Sequence, residues 1–168
     1  MNQAFLPAVV SPGDRFATTG RTVTESDVVG FSQLTGDWHP QHADAVWAAA
    51  SPFGERIAHG MLVLSFAVGL VPLDPERVIA LRRVRDATFK RPVRLGDTIH
   101  VEGRVDEVKP VDDSTAVVAL AWSVINQDGK TVTRAVVEVV WRTADAGTGT
   151  GTGTVSASDE PIAGVLPL

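Results

Sequence analysis

The strongest constraint on the fold is a series of four long segments in the second half of the chain. They lie at 78–89, 98–108, 114–126 and 131–143. Each is rich in β-branched residues and alternates apolar with polar side chains, which favours strands. The pair Asp128-Gly129 between the last two segments predicts a two-residue hairpin turn. Four consecutive long strands indicate an antiparallel sheet.

The first half of the chain carries helical signals instead. Thr24 and Asp27 form a capping-box pattern, which predicts a helix that begins after Thr24 and ends at Gly36. A short helix is expected over 44–50. A third helix, over 60–71, is apolar on almost every side, so we expect it to be buried. One buried helix followed by four strands predicts an α+β fold, with a curved sheet wrapped around a central helix. The free edge of such a sheet predicts a homodimer.

Composition bounds the class of protein. The chain has 168 residues, a length that predicts one folded domain, which we place over 1–143. The Gly/Thr repeat after this domain predicts a flexible tail over 144–168. It has no cysteine, which excludes disulfides, thiolate zinc sites and cysteine nucleophiles. A net charge of −5 argues against a nucleic-acid partner. The apolar runs are too short for a membrane span, and residues 1–20 show no signal-peptide pattern. We therefore expect a soluble protein of the cytoplasm.

Chemistry-bearing side chains concentrate in residues 36–44, Gly-Asp-Trp-His-Pro-Gln-His-Ala-Asp. Asp37 and His42 lie five residues apart, and Pro40 stiffens the loop expected between them. A carboxylate beside an imidazole suits acid–base chemistry near neutral pH, because imidazole titrates near pH 6.5. The segment therefore predicts a small acid–base site.

Three segments resemble the motifs of the MaoC-like (R)-specific enoyl-CoA hydratases. The first is 31–42, Phe-Ser-Gln-Leu-Thr-Gly-Asp-Trp-His-Pro-Gln-His, followed by Ala48. The others are 53–62, Phe-Gly-Glu-Arg-Ile-Ala-His-Gly-Met-Leu, and 90–97, Lys-Arg-Pro-Val-Arg-Leu-Gly-Asp. The resemblance implies the hotdog fold, a long central helix wrapped by a curved antiparallel sheet, in a dimer. It also implies reversible hydration of trans-2-enoyl thioesters of CoA or acyl carrier protein to (R)-3-hydroxyacyl thioesters.

The same resemblance assigns roles to particular residues. Asp37 and His42 match the catalytic pair, and Gly60 matches the residue whose backbone N–H polarises the thioester carbonyl. Free N–H groups at a helix N-terminus independently suit an enolate oxygen. No metal or other cofactor is expected, since the thioester carbonyl is itself the electron sink. The residues predicted to contact substrate are Trp38, His59, Ser65 and Arg91.

Two residues depart from the family pattern. His39 stands where the family usually has Asn, and Gln41 stands where it usually has an aliphatic residue. Neither change removes a reacting group. Both alter the polarity and hydrogen bonding expected around the site.

Other functions remain open from the sequence. Asp37, His39, His42 and Asp44 are of the types that ligate metals, as in a metal-dependent hydrolase. Pro40 is expected to disrupt a helix that would align His39 with His42. A thioesterase or an acyl-thioester-binding subunit with the same fold is a further alternative. Hotdog thioesterases typically use a carboxylate on the central helix, and residues 61–73 contain none.

Overall fold

The computed structural model describes residues 6–7 and 9–143, so the predicted tail at 144–168 lies outside the described residues. The helices are α1 (Glu25–Thr35), α2 (Pro40–Ala43), α3 (Ala45–Ala49) and α4 (Gly60–Leu70). The strands are β1 (Arg15–Ala17), β2 (Arg21–Thr22), β3 (Val78–Phe89), β4 (Thr98–Pro110), β5 (Thr115–Asn126) and β6 (Thr131–Arg142).

The six strands form one antiparallel sheet in the order β1-β4-β5-β6-β3, and β2 also pairs with β4. Helix α4 packs on one face of the sheet, where alternate residues of β5 such as Leu120 and Val124 are fully buried. Leu62 and Val63 of α4 belong to the same core. The prediction of a sheet wrapped around one apolar helix is confirmed.

Helix α4 is less buried than its composition predicts. Met61 is 56% exposed, and Ser65 and Gly69 are exposed with it. Residues at this spacing of four share one face of a helix. A single sheet covers only the opposite side of the helix, so one face of α4 remains open in the isolated chain.

The turn between β5 and β6 differs from the predicted two-residue hairpin. The strands end at Asn126 and resume at Thr131, and Gly129 has a φ of 72°. The Oδ1 atom of Asn126 accepts hydrogen bonds from the N–H groups of Asp128 and Lys130. The Asn126 side chain thus pairs two backbone N–H groups of the loop, which stabilises a connection of four residues between β5 and β6.

None of the helices in the described ranges is long and apolar enough to cross a membrane.

Candidate active site

The loop that carries Asp37 begins where α1 ends. Helix α1 opens with the predicted capping box between Thr24 and Asp27, and it ends at Gly36 in the left-handed region, with φ 77°. The N–H of Gly36 donates to the Ser32 carbonyl at 2.8 Å. Glycine adopts this conformation without a Cβ clash, so the chain turns sharply and presents Asp37 beyond the helix.

Pro40 begins a helix, so no helix carries both His39 and His42, as the sequence predicts. It occupies the first helical position of α2, where the missing N–H needs no intrahelical partner. His39 is the N-cap, and its Nδ1 accepts from the Gln41 N–H at 3.3 Å. This single turn of helix directs His42 inward, where it is only 4% exposed.

The backbone of Ile57 fixes the His42 ring. His42 Nδ1 lies 2.7 Å from the Ile57 carbonyl oxygen, and the Ile57 N–H donates to the Gln41 carbonyl at 3.1 Å. Ile57 is itself bridged to Arg94 in the segment before β4. A carbonyl only accepts hydrogen bonds, so Nδ1 carries the proton of the neutral ring. The lone pair of His42 is therefore on Nε2.

Burial also keeps the His42 ring neutral. It lowers the pKa of His42 below its usual value, and His59 and His39 act in the same direction. The hydrogen bond to the Ile57 carbonyl and the carboxylate of Asp37 oppose this shift without reversing it. Near neutral pH, His42 consequently offers a basic nitrogen.

His59, the residue before α4, packs directly on the His42 ring. The ring centroids are 3.7 Å apart and the planes are inclined by 27°. His59 Nε2 lies 3.0 Å from the Asp37 carbonyl oxygen and 3.2 Å from Ser32 Oγ. These contacts connect the N-terminus of α4 to the Asp37 loop, so His59 orients the helix and the loop together.

Asp37, His42 and His59 form one cluster. A carboxylate oxygen of Asp37 and a ring nitrogen of each histidine all lie within 4.8 Å of one another. Asp37 is exposed, whereas both histidines are buried. The structure thus brings the predicted pair together at the start of α4.

Asp37, His42 and His59 are of the types that ligate metal ions. Both ring nitrogens of His42 are already engaged, Nδ1 by the Ile57 carbonyl and Nε2 by the Gln41 amide at 3.0 Å, so a metal ion would have to displace Gln41. The set of four residues considered from the sequence is divided. Asp44 caps α3 by accepting from the N–H groups of Val46 and Trp47.

Gly60 lies at the first position of α4, as predicted. The N-cap residue, His59, makes no side-chain capping hydrogen bond, so the first turn of α4 has uncapped N–H groups. The Phe89 ring lies against Gly60, and a Cβ built on Gly60 would come within 2.9 Å of it. Gly60, Phe89 and Arg91 line one cavity of 270 Å³.

The remaining predicted substrate contacts are spread around this centre. Trp38 adjoins Asp37 and is half exposed. Arg91 lines the cavity beside Gly60, and its Nη1 donates to the Thr131 carbonyl at 2.6 Å. Ser65 lies on the open face of α4 and donates to the Met61 carbonyl at 2.8 Å. The sequence analysis missed Ile57 and Phe89 as parts of the site.

Comparison with known proteins identifies the family. A family model described as "MaoC like domain" matches residues 8–127, which is well over half of the chain. Protein MaoC of Klebsiella aerogenes is 44% identical over 93 residues, which cover 55% of this chain and 28% of that protein. The (R)-specific enoyl-CoA hydratase of Rhodospirillum rubrum is 35% identical over 97 residues, covering 55% of this chain and 67% of that enzyme.

The fold has solved counterparts. A Mycobacterium tuberculosis protein described as having a double hotdog fold superposes with a TM-score of 0.71 at 23% identity. The alignment covers 82% of this chain and 44% of that one. This likeness concerns the fold alone, and it agrees with a curved antiparallel sheet packed on one central helix. The chain therefore belongs to the MaoC-like domain family and has the hotdog fold.

Proposed function

We propose that this protein catalyses the reversible hydration of trans-2-enoyl thioesters to (R)-3-hydroxyacyl thioesters, or the reverse dehydration. The observation that carries the proposal is the placement of Asp37 within 4.8 Å of a neutral, buried His42 at the N-terminus of α4. The names of the relatives, hydratase among them, support the same reaction class. No side chain beyond this pair is required to move protons.

In the proposed reaction, water binds between Asp37 and His42. His42 Nε2 takes one proton from water as the water oxygen bonds to C3 of the substrate. The proton taken up by His42 then passes through Asp37 to C2, which restores the neutral imidazole and the carboxylate. The net change is addition of hydrogen to C2 and hydroxyl to C3, so no redox partner is consumed.

Gly60 is proposed to stabilise the enolate that forms between these steps. Its N–H group lies at the uncapped, positive end of α4, and negative charge on the thioester oxygen is favoured there. Arg91, in the same cavity, is proposed to contact the phosphates of CoA or of a carrier-protein prosthetic group. Trp38 and His59, which lie at the Asp37 cluster, are proposed as further substrate contacts, whereas Ser65 on the open face of α4 stays a prediction from the sequence alone.

The assay is the loss of the conjugated enoyl-thioester absorbance of crotonyl-CoA, with chiral analysis of the product. Asp37→Asn and His42→Ala are each expected to lower kcat at least ~100-fold, the usual scale for acid–base groups. His100→Ala is the matched control, because this histidine lies on β4 beside Glu102 and away from the site. Near-normal turnover in either site variant would refute the assignment.

A thioesterase is the second enzymatic candidate, and the same assay separates it. Hydrolysis releases free thiol, whereas hydration does not. The helix α4 (Gly60–Leu70) contains no Asp or Glu, which supports hydration over hydrolysis. A subunit that only binds acyl thioesters would change neither the absorbance nor the thiol content.

We further propose that the active form is a homodimer joined at β3. This strand ends the sheet order, and one of its edges faces no other described strand. Its exposed apolar residues are Ile79, Leu81, Val84 and Phe89. A long apolar edge strand invites pairing with an identical strand. Sedimentation at micromolar concentration is expected to give twice the chain mass of 17.8 kDa, and a monomer would contradict the proposal.

A further inference from the structure

The side-chain amide of Gln41 donates a hydrogen bond to the basic nitrogen of His42. Gln41 Nε2 lies 3.0 Å from His42 Nε2. Because His42 Nδ1 donates to the Ile57 carbonyl, Nε2 carries the lone pair and accepts from the Gln41 amide. An aliphatic residue, which the family motif usually has here, cannot make this bond.

The backbone of Gln41 is held on both sides, so the contact depends on the side chain alone. Its N–H donates to His39 Nδ1, and its carbonyl accepts from the Ile57 N–H. The side chain is only half buried. Rotation about its own torsions can therefore release His42 without moving α2.

One imidazole lone pair accepts one strong hydrogen bond, so His42 cannot hold the Gln41 amide and take a proton from water at once. We propose that Gln41 is a positioning residue that caps His42 Nε2 in the empty site and yields this position to the reacting water. The inference rests on the proposed function of Asp37 and His42. Gln41 thereby sets how readily the base becomes available.

The test uses Gln41→Met, which keeps the length of the side chain and removes the donor. Gln41→Leu is the second variant in case methionine impairs folding, and Gln33→Met on the exposed face of α1 is the matched control. The first readout is a ring-¹⁵N NMR titration of His42 in the ligand-free protein. It requires no catalysis, so it is independent of the proposed reaction.

Loss of the cap removes a bond that stabilises the neutral ring. The titration midpoint of His42 is expected to rise by about 0.5 to 1 pH unit, the scale of one net hydrogen bond. The groups around the ring, Asp37, His39 and His59, are unchanged in the variant, so they do not produce the shift. An unchanged midpoint in both variants would refute the proposal that the Gln41 amide caps His42 Nε2.

The second readout is kcat/KM with crotonyl-CoA at a pH above the titration. It is expected to rise about 2- to 10-fold in Gln41→Met, since no hydrogen bond must break before water binds. A fall or no change in kcat/KM, with the midpoint shifted, would overturn the role in yielding to water. Full activity of His42→Ala would instead refute the proposed function and leave the NMR result standing.

Discussion

The contact between Gly60 and Phe89 predicts that Gly60→Ala destabilises the protein when the Phe89 ring is present and stabilises it when the ring is removed. In Gly60→Ala, the new Cβ would lie 2.9 Å from Phe89 Cδ1 and Cε1, well inside ordinary contact. Overpacking of this kind costs about 1–3 kcal/mol in the free energy of unfolding. Alanine gains about 1 kcal/mol over glycine in a helix interior, and less at the first position of α4, which Gly60 occupies. The net expectation is a loss of up to about 3 kcal/mol.

Phe89→Ala supplies the background that isolates the clash. Without the ring, Gly60→Ala keeps only its helix-propensity gain, so it should stabilise the protein by up to about 1 kcal/mol. The measurement is urea unfolding of all four proteins, and the expected coupling energy is about 1–3 kcal/mol. Equal effects of Gly60→Ala in both backgrounds, within ~0.5 kcal/mol, would refute the reasoning about this contact.

Two further predictions concern the neighbouring residues. Because burial lowers the pKa of His42 in the folded state, the unfolded chain binds more protons, and stability should fall as the pH drops below the ordinary imidazole value of ~6.5. Chemical unfolding between pH 7.5 and 5 measures this, and His42→Gln should flatten that part of the curve. Asp44→Ala should cost about 1 kcal/mol of stability through the lost cap of α3, measured by thermal unfolding, with kcat nearly unchanged. A loss of activity far larger than the loss of folded protein would contradict a purely capping role for Asp44.

The long elements of the fold were predictable because they bury one face over many residues. The segments predicted at 78–89 and 114–126 match β3 and β5 to within one residue. The strands β1 and β2 were not predicted. They have three and two residues, too few to show a period, and they are strands only because β4 supplies their hydrogen bonds.

The site was predictable only in its side chains. The spacing of Asp37 and His42 indicated their proximity, although α2, rather than a stiff loop, produces it. The Ile57 carbonyl that fixes the His42 tautomer carries no signature, since every residue has a carbonyl. The exposed face of α4 could not be predicted either, because a helix sequence that is apolar on every side does not indicate which side the sheet covers.

The hold of Ile57 on His42 has a dynamic consequence. Ile57 is joined to the Gln41–His42 turn on one side and bridged to Arg94 on the other, and the Ala58 N–H donates to the Val93 carbonyl at 2.8 Å. The next two residues of the chain are His59 and Gly60. Any fluctuation that opens this short stretch would release the base and displace the helix terminus in the same event. The site would then lose its chemistry as one cooperative unit, with amide exchange at Ile57 and Ala58 reporting the opening rate.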